Sequence, residues 1–477
     1  MALKFGTSGV RGLVSEMSDL ACYHYTLAFM QLLTVQTSCR KICLAGDHRN
    51  SSPRIMTAVA SAVIDGGFEL EFGGTIPTPA IAIYAMEQQA AAIMVTGSHI
   101  PEDRNGIKFY MPWGEILKAE EKEISAWKEK LNPLQFKAQF GTQGQLLQPA
   151  TLPAVSVHIA EKYVQRYTAV FPANCLSGKK IVFYQHSSVA RTLLGKILTQ
   201  LGASVIEVGW SDRFIPVDTE AVEQPELLAA WVKEHHADAL VSTDGDADRP
   251  LLVDDRGNVV RGDVLGILAA RWLQAEAVAV PISCNTALEK SGWFSKVKRC
   301  KIGSPFVIET MAALCSAGAA KVVGYEANGG FLTATALNVE GFKIPLSALP
   351  TRDAVLPLLA ALLLPYPSLA AALDQLPQRI TASGLLRGIE MEKSMKFLET
   401  LRQLGTKLIE EQYSHLGACT HVDETDGFRM TFSSQAILHF RPSGNAPEFR
   451  CYAEAESEAQ AQDMVDKALE FLKQRLG

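Results

Sequence analysis

No CxxC pair occurs in this chain, although it carries nine cysteines. They stand at 22, 39, 43, 175, 284, 300, 315, 419 and 451, an odd number without metal-ligand spacing. A disulfide framework or a zinc site is therefore not expected, and reduced thiols of a cytoplasmic protein are. There is no GxGxxG and no GxxxxGK[ST], so neither a dinucleotide fingerprint nor a P-loop has support. No HExxH appears among the ten histidines, which removes the zincin pattern. An excess of basic charge is also missing: 45 Lys and Arg stand against 51 Asp and Glu, a net charge of -6. That argues against a general nucleic-acid binder but leaves an anionic small molecule open, because local Arg and Lys placement decides that. The start, Met1-Ala2-Leu3-Lys4-Phe5-Gly6, reaches polar and Gly residues at once, so no signal peptide is expected. Nor is there an unbroken apolar run of membrane length. The nearest, Asp353 to Leu373, is interrupted by Pro357, Pro365 and Pro367. It reads as a buried helix ending near Leu364, followed by a proline-marked linker, with no membrane partner.

What is present is globular: 48% apolar and 20% charged residues. A chain of 477 residues exceeds one ordinary core and suggests about three or four domains. Short β-rich runs alternate with helical patterns, the mark of α/β layers. Candidate strands include 42–45, 70–72, 93–95, 180–184, 205–208, 239–242, 277–282 and 321–325. Candidate helices include 52–65, 79–88, 190–201 and 225–235. Breaks fall near 141–153, at 254–263 and near 365–367, where Gly, Gln, Asp and Pro cluster. After the last break a helix over 391–412, strands near 427–432, 436–440 and 448–453, and a final helix over 456–476 suggest a small α+β unit. The expected domains are 1–150, 151–262, 263–372 and 373–477.

Chemistry-bearing residues concentrate in a few loops. Thr96-Gly97-Ser98-His99 follows the apolar run 91–95, so a serine hydroxyl is presented past a strand end beside an imidazole, and Lys108 follows across a Pro/Asn/Gly loop. Such a set can hold a nucleophile, a proton acceptor and a cation for phosphate. Taken alone, such a set is more often a turn bonded to its own backbone. Asp244-Gly245-Asp246-Ala247-Asp248-Arg249 crowds three carboxylates, which repel unless a hard cation or water neutralises them. A calcium loop fits poorly, since Arg249 stands where Gly is needed; magnesium with a phosphate as an added ligand fits better. Glu326 and Asn328, in Gly324-Tyr325-Glu326-Ala327-Asn328-Gly329-Gly330, offer a carboxylate and an amide suited to sugar hydroxyls. Arg441-Pro442-Ser443-Gly444-Asn445, with Arg450 beyond it, has the composition of a phosphate cradle.

Together these loops resemble the α-D-phosphohexomutase superfamily. The match runs in order through FGTSGVRG, GDHRNSSP, GTIPTP, TGSHIPEDRNGIK, DGDADR, GYEANGG and RPSGNAP, over nearly the whole chain. The resemblance implies four domains around a central cleft, three α/β domains with mixed sheets and a smaller C-terminal α+β domain. It implies reversible movement of phosphate between the 1- and 6-positions of a hexose, with Mg²⁺ and a hexose 1,6-bisphosphate intermediate. Ser98 would be the phosphoserine, sharing Mg²⁺ with Asp244, Asp246 and Asp248. Arg249 would hold the transferring phosphate, while His99, Lys108 and Arg11 would move a proton and stabilise charge. Glu326 and Asn328 would read the sugar, and Arg441, Ser443, Gly444, Asn445 and Arg450 would hold the phosphate that is not reacting. Four departures stand out: Gly97 where Ala is usual, Ile100 where Asn is usual, Asn328 where Ser is frequent, and Asn445-Ala446 where many members have Thr-Glu. The expected substrate is mannose phosphate, because GYEANGG differs from the GEQSGH-like loop of phosphoglucosamine mutases. Phosphoglucomutase activity, alone or dual, is the alternative, with phosphoglucosamine mutase ranked behind it, and a non-catalytic phosphosugar-binding relative is the reading from another class. A monomer or homodimer is expected.

Overall fold

The computed structural model describes residues 3–6, 9–443 and 447–476. Its first sheet shows why an apolar run becomes a strand. In Ala91–Val95, the residues Ala91, Ile93 and Val95 enter a core with the helices Asp19–Gln36 and Ser52–Asp65. Ala92 and Met94 enter a second core with the helix Thr78–Glu87. The period of two divides the run between two apolar cores, so no polar alternation is needed. Lys41–Gly46 runs parallel to Ala91–Val95 and to Glu69–Thr75, whereas Arg104–Met111 runs antiparallel to Ala91–Val95. The loop reading around Lys108 is thereby refined: Lys108 lies within a strand, directly opposite Met94.

The second sheet repeats this plan. Lys180–Tyr184 is parallel to Ala239–Thr243 and Ser204–Val208, and Pro250–Val253 returns antiparallel beside Ala239–Thr243. In the third, Ala277–Pro281 is parallel to Lys296–Cys300 and Val322–Tyr325, and Phe331–Thr333 returns antiparallel, followed by Leu349–Asp353. Three times, then, a buried parallel strand ends in a short loop and turns back on itself. Those loops are 96–103, 244–249 and 326–330, the segments singled out for chemistry. Carboxyl ends of parallel strands are where open α/β sheets place their ligands.

The fourth sheet is wholly antiparallel, in the order Ile380–Arg387, Glu448–Ala455, Ile437–Pro442, Phe428–Phe432, Cys419–Asp423. The helix Glu458–Leu476 packs on it so closely that a Cβ on Gly384 would lie 2.7 Å from Leu469. Where one helix over 391–412 was expected, there are two, Met391–Leu404 and Lys407–Gln412. Gly405 separates them with φ +70°, a conformation glycine adopts without a Cβ penalty. The run after Asp353 forms Val355–Leu362, with Pro357 in its first turn, and then Leu369–Leu373, with Pro365 and Pro367 between them. Among the described residues no helix is long and apolar enough to cross a membrane.

One apolar core extends from the helix Thr78–Glu87 through the second sheet to Val355–Leu362, joining the first three sheets. Polar contacts fix their angles. The hydroxyls of Tyr163 and Tyr167 both donate to Asp353, and Ser304 Oγ donates to Glu115 at 2.8 Å. The fourth sheet has its own core and meets the third sheet's segment through polar groups: Thr286 N–H donates to Glu454 Oε2 at 3.0 Å and Asn285 Nδ2 to the Arg379 carbonyl at 2.7 Å.

Candidate active site

Ser98 sits just past the end of Ala91–Val95 with φ +56°, an uncommon backbone conformation for a residue with a side chain. Its surroundings hold it there. Asp47 Oδ2 accepts from Thr96 Oγ1 at 2.8 Å and from Gly97 N–H at 3.2 Å, and Thr96 Oγ1 accepts the Ser98 N–H at 2.7 Å. Arg49, only 1% exposed, pairs with Asp47 at 3.1 Å and donates to the carbonyls of Ser98, Pro101 and Arg104 at 3.0, 2.7 and 3.1 Å. Its guanidinium also lies 4.0 Å from the centre of the Phe214 ring, brought in from the second sheet's segment. The serine loop is thus a braced turn.

The side chain of Ser98 faces the acidic loop. Its Oγ donates to Asp244 Oδ2 at 2.6 Å and lies 3.3 Å from His99 Nδ1. Asp244, Asp246 and Asp248 are buried, each with a carboxylate oxygen within 4.8 Å of the others. The second oxygens of Asp246 and Asp248 are already engaged. Lys108 Nζ donates to Oδ2 of both at 2.6 Å, and Thr78 Oγ1 donates to Asp246 Oδ2 at 2.5 Å. By contrast, Oδ1 of Asp246 and Oδ1 of Asp248 are buried and have no hydrogen-bond partner among the described residues. Burial, and then repulsion from Asp246 and Asp248, pushes the Asp244 carboxyl well above the ordinary range. Burial works the same way on Asp248, but Arg352, Lys108 and Arg249 outweigh it and hold that carboxylate below its ordinary value. Two orphaned oxygens and a carboxylate short of positive charge are what a hard divalent cation would satisfy, so the donor set fits Mg²⁺.

Cations ring this cluster. Arg249 Nε is 4.0 Å from Asp244 and 3.8 Å from Asp248, close enough for attraction but without a hydrogen bond. Arg11 is half-buried, and desolvation together with Arg249 and Arg352 pushes it down to about 10. Burial, then Arg249 and Arg11, also drive His99 well below the ordinary imidazole value, so its ring is neutral at neutral pH. Guanidinium Nε donors of Arg11 and Arg249 without a hydrogen-bond partner among the described residues, beside a neutral imidazole and a hydroxyl, are suited to a phosphate dianion.

Glu326 and Asn328 are both buried in a tight turn, with Gly329 N–H donating to Glu326 O at 3.0 Å and Gly330 N–H to Asn328 Oδ1 at 2.9 Å. Arg352 joins this turn to the acidic loop, contacting Glu326 Oε2 at 3.0 Å and Asp248 Oδ2 at 2.8 Å. On the fourth sheet Arg441 and Arg450 are direct cross-strand partners. Arg441 Nε donates to Asp426 Oδ2 at 2.8 Å, which also accepts the Ile302 N–H at 2.9 Å from the third sheet's segment. Ser443 N–H closes the strand end on Glu448 O at 2.8 Å. Gly444 and Asn445 lie outside the described residues. A cleft lined by Glu220, Arg261, Ala327, His439 and Tyr452 lies between the turn that carries Glu326 and Asn328 and this sheet. Glu220 interacts electrostatically with Arg249 and Glu326, and Tyr452 with Glu220, Arg441 and Arg450, so both ends border one space.

The structure therefore brings Ser98, His99, Lys108, Arg11, Arg249, the three aspartates and Glu326 into one cluster. It adds residues that sequence reading gave no role. Thr78 and Arg49 were within quoted motifs, where their partners were invisible. Arg352 had no local signal beyond being a lone cation ahead of an apolar run.

Residues 2–133 match the model for phosphoglucomutase/phosphomannomutase alpha/beta/alpha domain I, and residues 161–257 match that for domain II. A protein named phosphomannomutase from Salmonella muenchen is 41% identical over 100% of this chain and 96% of its own length. Another so named, from Sinorhizobium fredii, is 39% identical over 99% of each chain. Proteins named phosphoglucosamine mutase are more distant. Among solved structures, a phosphoglucomutase/phosphomannomutase family protein from Burkholderia thailandensis superposes with a TM-score of 0.75 at 20% identity, covering 98% of this chain and 97% of that one.

Proposed function

We propose that this chain, which belongs to the phosphoglucomutase/phosphomannomutase family, is a phosphomannomutase that interconverts mannose 6-phosphate and mannose 1-phosphate. The observation that carries the chemistry is the 2.6 Å contact between Ser98 Oγ and Asp244 within a buried acidic cluster ringed by cations. The mannose assignment rests on the names of the full-length relatives at 39% and 41% identity.

In this reading Ser98 carries a phosphoryl group. The sugar hydroxyl attacks phosphorus, the bond to Ser98 Oγ breaks, and a hexose 1,6-bisphosphate forms. After the sugar turns around, its other phosphate returns to Ser98. Both half-reactions use one centre, so the same cations serve twice. Asp244, Asp246 Oδ1 and Asp248 Oδ1 would hold Mg²⁺, which would neutralise charge on the phosphoryl oxygens. Arg249 and Arg11, whose Nε atoms have no hydrogen-bond partner among the described residues, would take the remaining oxygens. His99, kept neutral, is able to accept the proton of the attacking hydroxyl, whereas Lys108 is engaged by two carboxylates and acts as a fixed positive charge. Glu326 and Asn328 would read sugar hydroxyls, and Arg441, Ser443, Gly444, Asn445 and Arg450 would hold the distal phosphate. The four domains 1–150, 151–262, 263–372 and 373–477 belong to the same proposal, supported by one sheet falling in each range.

Coupled assays on mannose, glucose and glucosamine 1-phosphates test the substrate, with mannose 1-phosphate expected to be turned over with the highest kcat/KM. A clear preference for glucosamine 1-phosphate sinks the assignment. Ser98→Ala should abolish turnover; a variant that still turns over with saturating bisphosphate excludes the phosphoserine route.

A further inference from the structure

Arg352 is 3% exposed, on the last strand of the third sheet, Leu349–Asp353. Its guanidinium makes a divided contact. Nε and Nη2 approach the same oxygen, Asp248 Oδ2, at 3.1 and 2.8 Å, while Nη1 donates to Glu326 Oε2 at 3.0 Å. Asp248 belongs to the second sheet's acidic loop and Glu326 to the third sheet's turn. One planar group thus sets the orientation of two carboxylates with different tasks. The path of its side chain depends on Gly330, where a Cβ would lie 2.5 Å from Arg352 Cδ. The last glycine of the GYEANGG segment therefore has a steric role, since the arginine stem passes over it.

We propose that Arg352 is a positioning residue for sugar recognition: it holds the Glu326 carboxylate in fixed register with the acidic loop, so that the sugar is read at a set distance from the transferring phosphate. The inference rests on the mutase reading above. Lysine cannot replace arginine here, because an ammonium is a point charge without the planar fork that meets two carboxylates at once. Charge alone would be preserved by Arg352→Lys, whereas register would not.

The test is a double-mutant cycle between Arg352→Lys and Glu326→Gln, which separates action through Glu326 from a general structural effect. Arg352→Lys is expected to raise KM for mannose 1-phosphate about tenfold while kcat changes less than about threefold, as for lost positioning of bound substrate. In the Glu326→Gln background the same substitution should change KM by less than about twofold. Gly330→Ala, which keeps the guanidinium but displaces its stem, should raise KM in the same direction and guards against a misfolded lysine variant. Additive effects in the cycle, or an unchanged KM in Arg352→Lys and Gly330→Ala, overturn the proposal. If the wild-type protein turns over no hexose phosphate, the mutase reading has failed. The cycle is then run on calorimetric binding of mannose 1-phosphate, where additivity or unchanged affinity still overturns the role of Arg352 and non-additivity supports it.

Discussion

Gly97 lies directly against the Arg49 guanidinium: a Cβ on residue 97 would stand 2.6 Å from both Arg49 Cζ and Nε. Arg49 in turn holds the carbonyl of Ser98 at 3.0 Å and pairs with the buried Asp47. The buried arginine thus occupies the space that a methyl group on residue 97 would need. Gly97→Ala should therefore push Arg49 off the serine loop. An overpacked buried contact costs about 1–3 kcal/mol, and kcat should fall roughly tenfold because loss of the brace leaves Ser98 misplaced. Thermal unfolding and steady-state rates measured together check this; a variant with wild-type melting and wild-type rate would show that Arg49 moves aside at no cost.

The acidic loop yields a prediction that needs no turnover. Asp246 Oδ1 and Asp248 Oδ1 are buried without partners among the described residues, so a divalent cation should bind the folded chain and not the unfolded one. Binding of that kind stabilises by about 2.7 kcal/mol when the ligand stands at one hundred times its Kd. Millimolar Mg²⁺ should raise the melting temperature of chelator-treated protein, and Asp246→Asn should blunt the rise. An equal melting temperature with Mg²⁺ and with chelator would remove the cation from the site.

How much of this was legible beforehand depends on range. The segments 91–95, 239–243 and 322–325 were readable as strands because each is a short, continuous apolar run buried on both faces, and every chemistry-bearing loop followed such a run or lay between strands. Ile380–Arg387 escaped because Gly384 interrupts its pattern, and the reason for that glycine is a helix about eighty residues further on. Lys108 was assigned to the far side of a loop, since nothing local says that Arg104–Met111 folds back beside Ala91–Val95. Arg352 was invisible for a stronger reason. Its partners Asp248 and Glu326 lie 104 and 26 residues away in sequence, and its role exists only once two sheets are docked. Ser98 and the aspartates, by contrast, each sit at a strand end with their neighbours in a short motif, so residue type and spacing were enough to nominate them.

Two buried histidines contribute to the acid stability. Burial pushes His439 and His186 down to about 4 from an ordinary 6.5, and each Nε2 faces a backbone carbonyl, of Asp426 and Thr243 respectively. Between those values the unfolded chain holds the imidazole proton and the folded chain does not. More protons bound in the unfolded state means stability rises with pH there. The contribution is thus fully present above pH 6.5 and is lost as pH falls toward 4, by about 3 kcal/mol per histidine at one pKa unit per 1.36 kcal/mol. His439 is 1% exposed and packs against Tyr452, with Arg429, Asp426 and Arg441 as the charges around it, so solvent does little to soften the effect. Urea midpoints of the whole chain, followed at pH 7.5, 6 and 5, should fall steadily, and His439→Asn should lower the slope without removing it, because His186 in the second sheet's segment still contributes. A midpoint that stays level from pH 7.5 to 5 contradicts this account, as does a His439→Asn slope equal to that of the wild type.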